Sequence, residues 1–256
     1  MMLEALIFDV DGTLADTERH GHRVAFNRAF ADAGLDWVWD ETLYGELLSV
    51  TGGKERMRHF IAQYHPALPD GAAGDIDGFI AGLQASKTRH FITLVRRGEI
   101  APRPGVLRLL REAHSCGLRL AIATTSTYEN VEALLLSFGS DVLGWFEVIG
   151  AGDMVPVKKP APDIYLYVLA KLGLDAAECL AIEDSDNGFR AARRAAIPVA
   201  VTLNDYTAHQ HFDGALAVVD HLGEPGFPLA CLAGRLEPDC RLLDVVALKR
   251  LHATEP

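Results

Sequence analysis

The chain has 256 residues, of which 49% are hydrophobic and 23% are charged, a balance typical of a globular protein with a sizeable core. Its net charge of −11 offers no basic stripe for nucleic acid or for an anionic membrane, and we expect neither as a partner. No apolar run is long enough to span a bilayer and the N-terminus enters a strand-like segment directly, so we expect a cytoplasmic protein, and a monomer. The cysteines lack zinc-ligand and C-x-x-C spacing, and we expect mostly packed free thiols. They are Cys116, Cys179, Cys231 and Cys240.

Short apolar runs alternate with helical patterns along most of the chain. The runs lie at residues 3–10, 118–126, 146–153, 179–185 and 198–202. Most are apolar at successive positions, as strands covered on both faces should be. Between them, near 106–113 and 164–172, apolar residues recur at i, i+3, i+4 and about one turn further, which indicates helices. This alternation predicts an α/β fold with a doubly wound, parallel, Rossmann-like sheet.

The strand pattern disappears between residues 17 and 96, where apolar stripes at helical spacing replace it. We therefore expect a helical cap domain at 17–96, inserted into a core domain formed by 1–16 and 97–256. The proline- and glycine-rich segment 98–105 would lead back into the sheet. In the tail, the amphipathic stretch from Leu242 to Leu251 predicts a docking helix.

Polar side chains follow several of the predicted strands at their carboxyl ends. In chain order they are Asp9 and Asp11, Thr124 to Ser126, Lys158 and Lys159, and Glu183 and Asp184. In an open α/β sheet these ends lie along one edge, where ligands bind. Carboxylates that share such a site repel one another, and a cation with oxygen ligands offsets the repulsion. The pattern therefore favours Mg²⁺, which suits a phosphate-handling site.

Four segments, DVDGT, ATTS, KKPAPD and EDSDNG, resemble in this order the haloacid dehalogenase superfamily of phosphohydrolases. The resemblance implies a Mg²⁺-dependent phosphatase in which Asp9 is the nucleophile and forms an aspartyl-phosphate. Asp11 would act as general acid and base, and would need to be partly protonated at the right moment. Thr124 would hydrogen-bond the transferring phosphoryl group, and Lys159, which directly precedes PAPD, would neutralise its oxygens.

The same resemblance implies a metal site at which Mg²⁺ takes Asp9, the backbone carbonyl of Asp11, and Asp184. Glu183 is then either a further ligand or the partner of a ligand. Two alternatives stay open for the neighbouring motifs. Lys158 competes with Lys159 for the catalytic role, and the hydroxyls of 124–126 could instead cap the following helix.

The segment TGGKERMRHF, residues 51–60, combines a Gly-Gly turn with Lys54, Arg56 and Arg58. Cations and bare backbone amides form a suitable seat for a second, non-reacting phosphate. A plain loop before a charged helix is the alternative. The segment does not fit a nucleotide P-loop, because Leu48 replaces the first glycine and Glu55 replaces the Ser or Thr.

The segments LYGELLSVTGGKERM and ADTERHGHRVAFN are similar to the CbbY-type branch of this superfamily. That resemblance implies removal of the 1-phosphate from xylulose 1,5-bisphosphate, a misfire product that inhibits Rubisco in carbon fixation. It also implies a substrate pocket lined by Glu18, Tyr44, Gly52, Lys54 and Lys87. Gly53 and Arg56 from the basic turn, with Thr125 and Ser126 after the second strand, complete the predicted substrate-binding set.

Two other functions remain open at this stage. Related sugar phosphomutases use a hinge histidine to hold the acid/base aspartate back, and His22 could fill that place, although we expect His20 and His22 to be surface or hinge residues rather than metal ligands. Receiver-type signalling modules also hold an aspartyl-phosphate with acids, a Thr and a Lys around Mg²⁺. Such modules are about half this length and lack a cap, so a non-enzymatic phosphoacceptor is the weakest of the three hypotheses.

Overall fold

The computed structural model describes residues 2–255, and its core is built on one sheet. Within that range the sheet has seven strands in the order β3-β2-β1-β4-β5-β6-β7, all parallel except for the β6–β7 pair. The strands are β1 (Ala5–Phe8), β2 (Arg119–Ala123), β3 (Phe146–Gly150), β4 (Cys179–Glu183), β5 (Val199–Thr202), β6 (Ala217–Val219) and β7 (Cys231–Gly234).

The central strand β1 explains why the apolar runs are continuous. Its four residues are fully buried, because helices cover both faces of the sheet. Leu6 and Phe8 pack into one hydrophobic cluster, and Ala5 and Ile7 pack into another on the opposite face. The predicted doubly wound parallel sheet is therefore confirmed.

The helices of the core lie on both sides of this sheet. They are α5 (Val106–Ser115), α6 (Tyr128–Phe138), α7 (Asp163–Leu172), α8 (Asp186–Arg194) and α9 (Val245–His252). Buried residues of α5, α6 and α9 belong to the first cluster, and those of α7 and α8 belong to the second. The predicted tail helix is confirmed as α9, which begins after Asp244 because that carboxylate accepts the backbone N–H of Ala247 at 2.7 Å.

Helical structure fills the chain between β1 and α5, and its packing is aromatic. The segment contains one π-helical turn (Glu18–His22), α1 (Arg23–Asp32), α2 (Glu41–Leu47), α3 (Gly53–Tyr64) and α4 (Ile76–Arg96). A third hydrophobic cluster forms here, in which the Phe30 and Trp39 rings meet edge-on with centroids 4.9 Å apart. These helices share a core of their own, while the boundaries at 17 and 96 stay a prediction.

The structure differs from the sequence prediction in two respects, the number of strands and the burial of the cysteines. Strands β6 and β7 were not predicted; β6 has only three residues, and β7 is an exposed edge strand. The cysteines are free in the described chain, but the expectation that most are packed is wrong. Cys179 is buried, whereas Cys116 ends α5 at the surface and Cys231 lies on the edge strand. Within residues 2–255, no helix has the length and hydropathy needed to cross a bilayer.

Helix α9 gives a direct test of whether the tail belongs to the core. Leu248 is fully buried, whereas Val246 on the same helix is largely exposed. We expect Leu248→Ala to lower the free energy of unfolding by about 2–5 kcal/mol, because it leaves a cavity against α5 and the sheet. The control Val246→Ala should change it by about 0.5 kcal/mol or less. Urea denaturation measures both, and equal effects would show that the tail does not contribute to the core.

Candidate active site

The sheet register brings the predicted catalytic residues to one edge. Phe8 of β1 lies opposite Ile122 of β2 and Ile182 of β4, so these three strands end level with one another. Asp9 extends this alignment, since its backbone N–H donates to the carbonyl of Ile182 at 3.0 Å. Asp9 therefore has Thr124 on one side and the 183–184 acids on the other.

Lys159 lies at the centre of this edge. Its ammonium donates to Asp9 Oδ1 at 2.7 Å, to Glu183 Oε1 at 2.6 Å and to the Ala123 carbonyl at 2.8 Å, so all three of its protons are used. The neighbouring Lys158 points toward the cap and pairs with Glu55 at 3.1 Å. The structure thus brings Lys159, and not Lys158, against Asp9.

Three carboxylates crowd around this single lysine. Asp9, Glu183 and Asp184 each offer an oxygen within 4.8 Å of the others, and all three are buried. Burial and the repulsion from Glu183 raise the pKa of Asp9, against the opposing effect of Lys159. Burial and Glu183 also raise the pKa of Asp184 to about 8. When all three acids are ionised, the cluster has more negative charge than Lys159 neutralises.

Glu183 supplies the structural test of whether a cation fits here. Its Oε1 accepts hydrogen bonds from Lys159 and, at 2.5 Å, from the Tyr165 hydroxyl. Its Oε2 is buried and has no hydrogen-bond partner within residues 2–255. An oxygen without a donor, in an excess of carboxylate charge, matches a hard divalent cation. Asp184 is held in place by Asn204, whose Nδ2 donates to Oδ2 at 2.6 Å.

Asp11 faces the cap, away from these carboxylates. Its Oδ1 accepts a hydrogen bond from the Thr17 hydroxyl at 2.6 Å and lies 2.8 Å from His22 Nε2. Burial by itself would raise the pKa of Asp11, but the interactions with His22 and Thr17 outweigh it, and its pKa falls well below the usual value. This arrangement keeps Asp11 ionised, so it differs from the partly protonated state that acid catalysis needs.

A buried polar chain continues from Asp11 into the cap. Lys87 Nζ lies 2.8 Å from His22 Nδ1. Because an ammonium can only donate, Nδ1 accepts and the Nε2–H of His22 donates to Asp11. Burial among the Phe26 and Phe91 rings lowers the pKa of Lys87 to about 8. His22 is buried at the start of α1, while His20 is exposed; that His22 belongs to a hinge stays a prediction.

Two cavities meet at Asp11. The larger, about 430 Å³, reaches Asp9, Lys159 and Asp184. The smaller, about 100 Å³, is lined from the cap and from the loop after β2. Its predicted lining residues are Glu18, Gly52, Gly53, Lys54, Arg56, Lys87, Thr125 and Ser126.

Tyr44 and Arg58 do not line either cavity. Tyr44 is fully buried behind the cavities, where its hydroxyl contacts Glu18 and accepts from Arg56 Nη1 at 2.9 Å. Arg58 is exposed and pairs with Asp77 at 2.8 Å, so the expectation that it joins Lys54 and Arg56 does not hold. It lies two positions after Arg56, on a different face of α3.

Sequence reasoning missed several polar residues at the site. Gln84 Oε1 and Asn130 Oδ1 are buried, line the smaller cavity, and have no partner in the described part of the chain. A signal for Gln84 was its position one helical turn before Lys87. Asn130 lies in the first turn of α6, whose N-cap position is Thr127 and not a residue of 124–126. The capping alternative for those hydroxyls is therefore wrong.

Comparison with known proteins identifies the family of this arrangement. Residues 3–196 match the family model described as haloacid dehalogenase-like hydrolase. Protein CbbY, plasmid, of Cupriavidus necator is 51% identical over 228 residues, which cover 89% of each chain. The CbbY crystal structure from Rhodobacter sphaeroides in complex with phosphate is 46% identical, has a TM-score of 0.80, and covers 86% of this chain and 95% of that chain.

A second structure of the Rhodobacter sphaeroides protein, a mutant in complex with xylulose 1,5-bisphosphate, is 45% identical with a TM-score of 0.79 and the same coverage of both chains, 86% and 95%. These matches cover 86–89% of this chain and 89–95% of the relatives, so the relationship extends over most of both chains. The chain belongs to the haloacid dehalogenase-like hydrolases, and within them to the CbbY-type phosphatases.

Proposed function

We propose that this phosphatase is Mg²⁺-dependent and removes the 1-phosphate from xylulose 1,5-bisphosphate. The observation that supports it best is the pair of cavities joined at Asp11. One contains the candidate nucleophile Asp9 beside Lys159, and the other contains cationic side chains, Lys54 and Lys87. A sugar with a phosphate at each end matches two such compartments, because each phosphate then meets its own positive charge.

The relatives support the same substrate. The Rhodobacter sphaeroides protein binds xylulose 1,5-bisphosphate and is 45% identical to this chain. Seven of the nine proposed substrate-binding residues lie in the proposed cap, and the two structures share a fold, with a TM-score of 0.79 over 86% of this chain. A phosphorylated sugar is therefore the substrate class, and the bisphosphate is our specific proposal.

In this mechanism, a carboxylate oxygen of Asp9 attacks the phosphorus atom and the bond to the sugar oxygen breaks. Thr124 donates a hydrogen bond to a phosphoryl oxygen, and the positive charge of Lys159, whose Nζ lies 2.7 Å from Asp9 Oδ1, offsets the negative charge of the transition state. Asp11 must first leave His22 and take up a proton from solvent; it then gives this proton to the departing sugar oxygen and afterwards takes a proton from the water that attacks the aspartyl-phosphate. Inorganic phosphate leaves and Asp9 is regenerated.

The proposed Mg²⁺ site consists of Asp9, the backbone carbonyl of Asp11, and Asp184. The orphan Oε2 of Glu183 makes this residue the candidate for a further ligand or for a water-mediated contact. When bound, the cation would neutralise carboxylate charge and polarise the phosphoryl group. Lys159 alone cannot do this, because its three protons are already used.

A phosphomutase is the second candidate, and one contact favours it. His22 holds Asp11 in the turned-back position at 2.8 Å, which is the arrangement that would delay hydrolysis of the aspartyl-phosphate. A mutase then returns the phosphoryl group to another oxygen of the sugar instead of to water. The two candidates differ in their product, since only the phosphatase releases inorganic phosphate.

The first test measures phosphate release from a panel of sugar mono- and bisphosphates, with and without added Mg²⁺. We expect a preference for xylulose 1,5-bisphosphate and a requirement for the metal. Asp9→Asn should reduce turnover by at least about 10³-fold because it removes the nucleophile. Asp16→Asn is the matched control, since Asp16 is in the same loop but lines neither cavity.

The outcomes of this panel separate the hypotheses. Equal rates on all monophosphates would contradict the bisphosphate assignment and leave the phosphatase chemistry intact. An isomerised product without free phosphate would favour the mutase. An active Asp9→Asn enzyme would contradict the proposed mechanism.

The second test uses the lowered pKa of Lys87. Its ammonium is charged below about pH 8 and neutral above it, so attraction of the second phosphate should weaken as the pH rises. We expect kcat/KM for the bisphosphate, which reports the free enzyme, to fall as the pH rises through about 8. Lys87→Met should have a lower kcat/KM without this decline. A decline that persists in Lys87→Met would assign the titration to another group.

A further inference from the structure

We propose that Arg103 is a positioning residue of the active site, which ties the loop after β1 to the loops after β5 and β6 and so keeps Asp184 in register with Asp9. The proposal rests on the roles proposed above for these two aspartates. It does not depend on which sugar phosphate is the substrate. Arg103 itself lines neither of the two cavities, so it would act through the loops that it holds.

The contacts of Arg103 reach three separate loops. Its Nη1 donates to the carbonyls of Gly12 and, at 3.2 Å, of Thr202. Its Nη2 donates to the carbonyls of Leu203 and, at 2.7 Å, of Asp220. These carbonyls lie after β1, at and after the end of β5, and after β6, so one guanidinium joins the ends of three strands of the sheet.

Each of the first two loops leads directly to a residue of the site. Gly12 follows Asp11, and Leu203 precedes Asn204, whose Nδ2 donates to Asp184 Oδ2 at 2.6 Å. The loops also touch each other. A Cβ at Gly12 would lie 2.6 Å from Asn204 Nδ2 and closer still to Asp184 Oδ2, so the two loops pack too closely for any side chain at position 12.

An arginine suits this position for a geometric reason. Its planar guanidinium presents N–H groups in a fixed fork, so it can satisfy four carbonyls and hold them at fixed angles. A lysine has the same charge but only three donors on one nitrogen atom, and it cannot span the same separation. Arg103→Lys therefore keeps the charge and removes the bridge.

The chain offers a matched control in Arg108. This arginine also donates to backbone carbonyls, those of Leu222, Gly223 and Leu243, at 2.9–3.1 Å. It ties α5 to the tail and contacts neither Gly12 nor the loop that contains Asn204. If the loss of kcat or Mn²⁺ affinity came only from losing hydrogen bonds to backbone carbonyls, it should appear equally in Arg108→Lys.

The experiment compares Arg103→Lys and Arg108→Lys in the full-length chain by thermal unfolding, steady-state kinetics and Mn²⁺ titration followed by electron paramagnetic resonance. We expect both variants to unfold at lower temperature. Arg103→Lys should also lose about 10- to 100-fold in kcat, because small misplacements of reacting groups have effects of this size, with KM changed less than about threefold. Its Mn²⁺ affinity should fall about tenfold, whereas Arg108→Lys keeps kcat and Mn²⁺ affinity.

Asn204→Ala provides the second variant, since it breaks the same link on the Asp184 side. We expect it to lower kcat and Mn²⁺ affinity, and the double variant with Arg103→Lys to lose little more than the worse single variant. Additive losses, or unchanged kcat and Mn²⁺ affinity in either single variant, would overturn the proposal. If Arg103→Lys does not fold, Arg103→Gln replaces it in the same comparison, because the amide still donates but cannot reach all four carbonyls. A wild-type enzyme that fails to release phosphate would instead contradict the proposed function.

Discussion

The repulsion among Asp9, Glu183 and Asp184 is the constraint on which the active-site edge of the sheet depends. Three buried carboxylates within 4.8 Å of one another are unfavourable unless positive charge compensates them. Lys159 provides part of that charge and is held by the carbonyl of Ala123 as well as by two of the acids. The level ends of β1, β2 and β4 fix the distances between these carboxylates and Lys159, so the sheet register determines the electrostatics of the site.

The cap answers a different electrostatic requirement. Its Lys54, Arg56 and Lys87 bring cations to a cavity next to Asp11, while the aromatic core behind them excludes water. Burial makes such cations more effective toward a bound anion, since fewer water dipoles screen them. It also lowers the pKa of Lys87, and this cation therefore depends on pH in the neutral to alkaline range.

The sequence predicted those parts of the structure that local pattern controls. Continuous apolar runs predicted β1 to β5, and the motifs that follow them, together with the family resemblance, pointed to Asp9, Thr124, Lys159 and the 183–184 acids. Contacts made by distant residues could not be predicted. The Asn204–Asp184 bond joins residues 20 positions apart on separate loops, and no periodicity marks it. Likewise, β7 is an exposed edge strand whose pairing depends on a partner rather than on its own composition.

The two connections between the sheet and the cap pair with each other, and this pairing has a mechanical consequence. Ala15, on the outgoing connection, pairs with Pro102 on the returning one, and the backbone N–H of Arg103 donates to the carbonyl of Leu14 at 2.9 Å. Both strands of the linker are thus pinned to the core before the cap begins. A rotation of the cap helices relative to the sheet would therefore change the backbone angles of the residues around 17–22 and 96–101 and would leave Asp9 in place.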